Sequence, residues 1–423
     1  MHSGSSARVH RIAIINPLAD YGISTYSHEL ANGLEENHVR VDLYSSDVSP
    51  LQDLNLPYRY NLIPVLGSAL FKQLRVDRAV QSKRRTHGDS VAPLGCALPW
   101  HQRALRQAAK GVRPLFLPTE LAFYLKSRNY DVIWTQWPQM EGYGARFWRL
   151  LRLLGTRVVH TVHNVRPHES SARDERLCRS VYGQASLLFV HSNYAADELM
   201  RAFPESRSKI VIAPHGVYTA YKRCPEARAS MRQRLGIAAD EPALLFCGAI
   251  KPYKNLDAVL AALADPRCSR ARLIVAGGES GYPDTYPGDP LGRTRRLVQQ
   301  LGITEKVRLL PGFRKNEDLS ALLEASDILV LPYVQSYGSG LLLLGMTFHM
   351  HILATRAGGA EEYLARYARS TMLSGTGPEE HAVGISEALD KLRQCSEAEV
   401  AIDPALDWRN IARRCLDALN SRL

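Results

Sequence analysis

Short apolar runs alternate with helix-length amphipathic segments along this chain, and the alternation begins afresh half-way. In the first half the runs are Arg11-Ile12-Ala13-Ile14-Ile15, Val39 to Tyr44, Asp131-Val132-Ile133-Trp134, Arg157 to Val162, Leu187-Leu188-Phe189-Val190 and Ile210-Val211-Ile212. In the second they are Ala243 to Phe246, Arg272 to Ala276, Val307 to Leu310, Ile328-Leu329-Val330 and Ile352-Leu353-Ala354, with helices expected at 254–265, 291–301, 316–325 and 340–348. Strands that are apolar throughout, rather than at every second residue, need cover on both faces. Alternating βα units give that cover around a parallel sheet. The chain is therefore expected to be α/β.

At 423 residues it is too long for one ordinary core, so two domains are expected. The seam falls at Pro214-His215-Gly216-Val217, giving a Rossmann-like domain over 1–216, a second over 217–405 and a C-terminal helical segment, 406–423, that crosses back to the first. Two such domains facing each other would line an interdomain cleft with the C-terminal ends of their strands. Residues 46–115 are irregular, basic and dotted with proline, and an insertion that long is usually functional.

Apolar content of 45% and charge of 22% are those of a globular chain, and no apolar run approaches the ~20 residues that span a bilayer. The polar start, Met1 to Ser6, lacks the apolar core of a signal peptide. Seven dispersed cysteines without C-x-x-C spacing fit a reducing cytoplasm and argue against a disulfide framework or zinc site. The net charge of +11 is concentrated in the first half, from Lys72 to Arg113 and again at Arg146, Arg149 and Arg152. On a helix these last three share one side while Phe147, Leu150, Leu151 and Leu154 line another. Two readings fit equally: a helix lying on an anionic membrane, or an ordinary amphipathic helix with arginines in water. No recognition module for nucleic acid is present.

Chemistry gathers at strand ends. Ser336 to Leu344 follows the strand-like run 327–332 and opens a helix, the arrangement that presents backbone N–H groups to an anion. Gly338 and Gly340 allow close backbone approach, Tyr337 flanks them, and Ser339 either caps the helix or donates to phosphate. Ninety residues earlier, Gly248 to Asn255 carries Lys251 and Lys254, spaced to reach one diphosphate. Positive charge at a helix start is mildly unfavourable, so a binding role explains the pair better than solvation does. Gly277, after the next strand, and Gly312-Phe313, where a nucleotide base would lie against backbone, complete the donor-side candidates.

In the first half, Gly22 opens a helix after the loop containing Asp20. That carboxylate is either a catalytic base or simply well placed beside a helix N-terminus. The strand ending at Val162 leads into His163, Arg166, His168 and Glu169, a polar density that favours a site. Glu141 is a third carboxylate candidate. No D-x-D pair occurs, so the cradle for a nucleotide-bound metal is missing; helix termini and lysines would do its work, with no metal or cofactor.

In order along the chain, the glycine turn at Gly22, the strand end at His163, Pro214-His215-Gly216-Val217, Gly248 to Lys254, and the 327–360 block before Glu361-Glu362 resemble glycosyltransferases of the two-Rossmann GT-B type related to family 4. That family carries two glutamates, contacting donor sugar and ribose, where Ser336 and Leu344 stand here, which argues against its retaining mechanism. The chain is more similar to the xanthan-type β-mannosyltransferases of family 94, through His163-Asn164 with Pro167-His168-Glu169, Pro252-Tyr253-Lys254, and Ser339-Gly340 with its leucine run. This resemblance implies inverting transfer from GDP-mannose to a lipid-diphosphate-linked oligosaccharide in exopolysaccharide synthesis, by a cytoplasmic enzyme peripheral to the membrane. Lys251, Lys254 and the Gly338–Gly340 amides would stabilise the departing diphosphate. Glu169, Asp20 or Glu141 would act as base, with His163 close to the donor sugar. Three alternatives stay open: a UDP-sugar-dependent or retaining transferase, a catalytically silent sugar-nucleotide binder, and a two-domain sugar-nucleotide epimerase.

Overall fold

The computed structural model describes residues 8–18, 21–46, 51, 58–64, 119–137, 144–166, 172–277, 289–312, 316–394 and 400–423. Asp20, Glu141, Glu169 and Phe313, with most of the basic 46–115 insertion, lie outside these residues.

The chain forms two compact units. One takes the chain up to Val190, Leu199–Val211 and Ala412–Leu423; the other takes His191–Glu198 and Ile212–Ile411. Strands β1 (Arg11–Asn16), β2 (Arg40–Ser45), β3 (Asn61–Pro64), β4 (Val132–Thr135), β5 (Val158–Thr161), β6 (Leu187–Val190) and β7 (Ile210–Ile212) make a seven-stranded sheet in the order β3-β2-β1-β4-β5-β6-β7. β1 runs parallel to both β2 and β4. Between the strands lie helices α1 (Tyr21–Glu36), α2 (residues 119–127), α3 (Gly144–Leu153), α4 (Ala172–Gln184) and α5 (Asn193–Ala202). Trp134 of β4 stacks on Phe189 of β6 with centroids 4.5 Å apart, both fully buried.

In the second unit, β8 (Ala243–Cys247), β9 (Arg272–Ala276), β10 (Val307–Leu310), β11 (Ile328–Leu331), β12 (His351–Ala354) and β13 (Ser370–Met372) form a six-stranded sheet, β10-β9-β8-β11-β12-β13. Its strands pair in parallel throughout. The helices are α6 (Ala227–Leu235), α7 (Leu256–Leu263), α8 (Pro290–Gln300), α9 (Asn316–Ala325), α10 (Gly340–Thr347), α11 (Ala360–Leu364) and α12 (Pro378–Leu392). Leu244, Phe246, Leu273, Val275, Val330 and Leu353 from the strands pack with Val259, Leu260, Leu263 and Ile385 from the helices into one core. Both sheets reverse their strand order beside the first strand, between β1 and β4 and between β8 and β11. Such switch points open a crevice at strand C-terminal ends, where this class of sheet binds ligands.

α13 (Trp408–Arg422) belongs to the first unit from Ala412 on. Asn420 Oδ1 accepts from the Val9 N–H at 2.9 Å, and the Arg422 guanidinium donates to the Ile210 carbonyl at 3.1 Å.

Two departures from the sequence expectation, and the placement of one helix it left open, have local causes. β3 sits inside the span read as irregular; it is a four-residue edge strand ending in Pro64, too short to show alternation. The helix expected from 254 starts at Leu256, because Asn255 adopts a left-handed backbone (φ 55°) after the tight turn Pro252–Lys254. α3 buries Phe147, Trp148 and Leu151 in its own unit and leaves Arg146, Arg149 and Arg152 exposed. The apolar face of α3 is thus turned to its own core, as in an ordinary amphipathic helix, with the arginine face outward. Among the described residues no helix is long and apolar enough to cross a membrane.

Candidate functional site

The switch point of the second sheet places the two loops expected to bind an anion side by side. β8 ends at Cys247, and Gly248 follows with φ of +99°, a conformation that favours glycine. A Cβ there would meet Lys254 Nζ at 2.8 Å and a Leu341 methyl at 3.9 Å. The lysine ammonium and the first turn of α10 thus converge on one glycine. The turn Pro252–Lys254 carries the lysine back over the strand end; the Asn255 N–H closes it on the Pro252 carbonyl at 2.9 Å, and the Asn255 side chain ties it to the Thr376 carbonyl at 2.8 Å.

Lys254 is only 9% exposed, and no carboxylate among the described residues pairs with it. Its Nζ lies 5.6 Å from the centroid of the Tyr333 ring, a cation–π contact that offsets a little of the lost hydration. Burial, with a smaller push from Lys251, brings its pKa down to about 8. Lys251 is half-buried at the mouth of the same turn. Tyr333, buried just after β11, hydrogen-bonds the side chain of Ser339, and burial raises its pKa.

At the start of α10, Ser339 has an extended backbone and its Oγ accepts from the Leu342 N–H at 3.3 Å, so it is the helix N-cap. Ser336 Oγ donates to the Gly338 carbonyl at 3.0 Å, closing the turn before it. Gly338 is exposed, and a Cβ there would touch nothing within 4 Å. Tyr337 is 8% exposed. Gly340 lies under the Tyr218 hydroxyl, 2.6 Å from where its Cβ would stand. Leu344, one of the two positions where the resemblance would place a glutamate, is buried at 3%.

Gly277 and Gly312 stand at the ends of the next two strands. A Cβ on Gly277, whose φ is +146°, would fall 2.0 Å from the Gly248 carbonyl oxygen. Its N–H donates to Leu310 and the Gly248 N–H donates to Ala276, so three strand ends are laced together. Gly277 therefore supports the lysine-bearing loop from beneath. Gly312 is exposed with φ of +89° and open space around it.

In the first unit, Gly22 is exposed at the start of α1. Asn16, fully buried at the end of β1, accepts from the Leu18 N–H at 3.1 Å and donates to Ser24 Oγ at 3.3 Å, which fixes the start of the loop that leads to Asp20. His163 Nε2 lies 3.1 Å from Gln136 Oε1, and Tyr26 meets its ring edge-on at 4.7 Å. Gln136 is the first residue beyond β4, so two adjacent strand ends meet in this pair. His160, three residues earlier, is a core residue: its Nδ1 bonds Thr135 Oγ1 at 2.8 Å, and burial drives its pKa to about 3.

Asn16, Gln136, Tyr218 and Tyr333 were not among the sequence candidates. Tyr333 had a usable signal, an aromatic following Leu331-Pro332 at a strand end; Tyr218, 122 residues from the glycine it covers, had none. Among the described residues no three His, Cys, Asp or Glu side chains are grouped to hold a metal ion.

Residues 21–221 match the Glycosyltransferase Family 4 model, and residues 227–401 match Glycosyl transferases group 1. A D-inositol 3-phosphate glycosyltransferase of Corynebacterium glutamicum is 25% identical over 392 residues, covering 83% of this chain and 88% of that protein. The fold is similar to that of the catalytic domain of starch synthase IV from Arabidopsis thaliana, bound to ADP and acarbose (TM-score 0.64, 12% identity, 97% and 95% of the two chains). It is also similar to that of Anabaena HepE in complex with UDP and glucose (TM-score 0.60, 17% identity, 97% and 95%).

Proposed function

Since this chain is a glycosyltransferase with the GT-B fold of the family 4 and group 1 type, we propose that it moves a sugar from a nucleotide-diphosphate donor held in the second unit to a glycan acceptor. The observation that carries the donor assignment is Lys254. A buried ammonium that no carboxylate among the described residues pairs with, beside a capped helix start, is a costly arrangement that an incoming diphosphate would relieve.

In the proposed reaction the acceptor hydroxyl oxygen attacks the anomeric carbon as the bond from that carbon to the diphosphate oxygen breaks. A carboxylate of the first half (Glu169 or Asp20 ahead of Glu141) takes the hydroxyl proton. Lys251, Lys254 and the amides from Gly338 to Gly340 receive the developing charge, with no metal needed. Glu169 and His163 lie on the stretch that resembles the inverting family 94 enzymes, and Ser336 and Leu344 supply no carboxylate for a retaining sugar site. We therefore assign inversion and GDP-mannose, with a lipid-diphosphate-linked oligosaccharide at the membrane surface as acceptor. A second reading, a UDP-sugar donor with a phosphorylated polyol acceptor, is favoured by the HepE complex with UDP and by the corynebacterial relative.

Thermal stabilisation by GDP, UDP, ADP and dTDP, with and without EDTA, separates these. A nucleotide at ~100 times its dissociation constant adds about 2.7 kcal/mol of stability. Selective response to GDP supports the mannosyl donor, selective response to UDP the second reading, and loss of response in EDTA overturns metal-independence. Silence toward all four removes the donor site.

A further inference from the structure

Tyr218 lies outside the loops described above, yet its two ends touch both ends of α10. Its backbone N–H donates to Thr347 Oγ1, at the last residue of the helix, at 2.9 Å. Its hydroxyl stands over Gly340, the first residue. The ring is held from other sides too. His215 Nδ1 lies 2.8 Å from the Gly216 carbonyl and must donate to it, so its Nε2, 3.3 Å from the Tyr218 hydroxyl, is the acceptor of that O–H. Tyr221 packs edge-on at 5.4 Å. His215 in turn is boxed by Trp408 at 5.5 Å and His191 at 5.7 Å, and Trp408 Nε1 donates to the Val217 carbonyl at 2.6 Å.

We propose that Tyr218 is a positioning residue for the diphosphate: a strut along α10 that fixes where the helix N-terminus points relative to Lys254. The proposal rests on the donor assignment above. Two observations carry it beyond packing. Among the described residues, Gly340 lacks room for a side chain because of the Tyr218 hydroxyl alone, since the next nearest atom to a Cβ is the phenol carbon at 3.7 Å, an ordinary contact. The same helix turn brings a Leu341 methyl to 3.9 Å from where a Gly248 Cβ would stand, a point that Lys254 Nζ approaches to 2.8 Å, so the helix start and the ammonium border the same space.

The geometry makes the two positions mutually suppressing. Gly340→Ala sets a methyl against a hydroxyl that His215 and Tyr221 prevent from yielding, so the helix start must move. Tyr218→Phe removes that oxygen and restores the space. Wild type, both single variants and the double variant would be titrated with whichever of GDP, UDP, ADP and dTDP stabilises the wild type, and the melting temperature of each ligand-free protein recorded. Gly340→Ala is expected to bind that nucleotide ~10-fold more weakly, because a helix-terminal anion contact fades within the first turn. The double variant should return to within ~3-fold of Tyr218→Phe alone, since coupled neighbours are non-additive. Equal binding by Gly340→Ala and wild type overturns the proposal, as does a double variant no better than Gly340→Ala. If ligand-free Gly340→Ala is unfolded, binding restored in the folded double variant still supports the strut, and weak binding there overturns it. Failure of wild type to bind any of the four is the separate failure of the donor assignment itself.

Discussion

Lys254 holds opposing demands on one side chain. Its folded-state pKa of about 8 lies below the ~10.4 of an exposed lysine, so below pH 8 the folded chain carries a buried charge that the unfolded chain hydrates. The unfolded state binds more protons between these two values, and stability from this group therefore rises with pH across that window. Replacing it by Met should stabilise the ligand-free protein at pH 7 by up to about 3 kcal/mol, with the advantage disappearing as pH approaches 10. The same variant should lose ~100-fold or more in kcat/KM, the scale of a removed charge-stabilising group. Melting curves from pH 7 to 10 beside single-turnover rates test both halves. A variant that is less stable than wild type at pH 7, or that turns over normally, contradicts the account. Donor affinity in the wild type should fall as pH rises through 8, because the ammonium that meets the diphosphate loses its proton.

At the scale of elements, three strand ends and one helix start frame the proposed donor site, and their glycines are not equivalent. Gly277→Ala places a methyl on the Gly248 carbonyl in a backbone region that L-residues avoid, so it should cost ~4 kcal/mol or more, the size reserved for backbone conflict. Gly338→Ala meets nothing among the described residues and has an ordinary φ, so its stability should stay within the ~1 kcal/mol range of surface changes. Thermal scans of the two ligand-free proteins decide, and equal destabilisation would show that the lacing of strand ends is unimportant. This distinction was closed to the sequence, where both read as glycines after strands. The elements themselves were far more legible: β10, α9 and the bounds of the final helix follow from apolar runs and caps. β3 (Asn61-Leu62-Ile63-Pro64) and β13 (Ser370-Thr371-Met372) did not, because they hold too few apolar residues to stand out as runs, whereas the equally short β7 and β10 are largely apolar. Sites built within a single strand-to-helix loop, such as Lys254 or Ser339, were visible for the same reason the elements were. Tyr218 and Gln136 were not, since their roles come from contacts made far along the chain.

For the molecule as a whole, the excess of 53 basic over 42 acidic residues asks for an anionic partner, and the structure limits how a membrane would serve. α3 was the segment with the sequence of a surface-lying helix, but Phe147, Trp148 and Leu151 are each at most 1% exposed within the first unit's core. Of its apolar residues whose burial is described, Leu153 alone stands well out of the protein, at 75%. Insertion of that helix into acyl chains would need the core to open, whereas Arg146, Arg149 and Arg152 already face water. Any attachment through α3 is therefore expected to be electrostatic, at ~1 kcal/mol per basic residue near an anionic surface and screened over about 8 Å at physiological salt. The protein should sediment with phosphatidylserine vesicles at low ionic strength, ignore phosphatidylcholine vesicles, and be released almost fully by 0.5 M salt. Replacing Arg146, Arg149 and Arg152 together by Gln should reduce sedimentation several-fold without lowering the melting temperature, because none of the three contributes to the buried face. Release that is incomplete at high salt would mean that apolar surface enters the bilayer after all. An unchanged sedimentation of the triple variant would move the membrane contact away from α3.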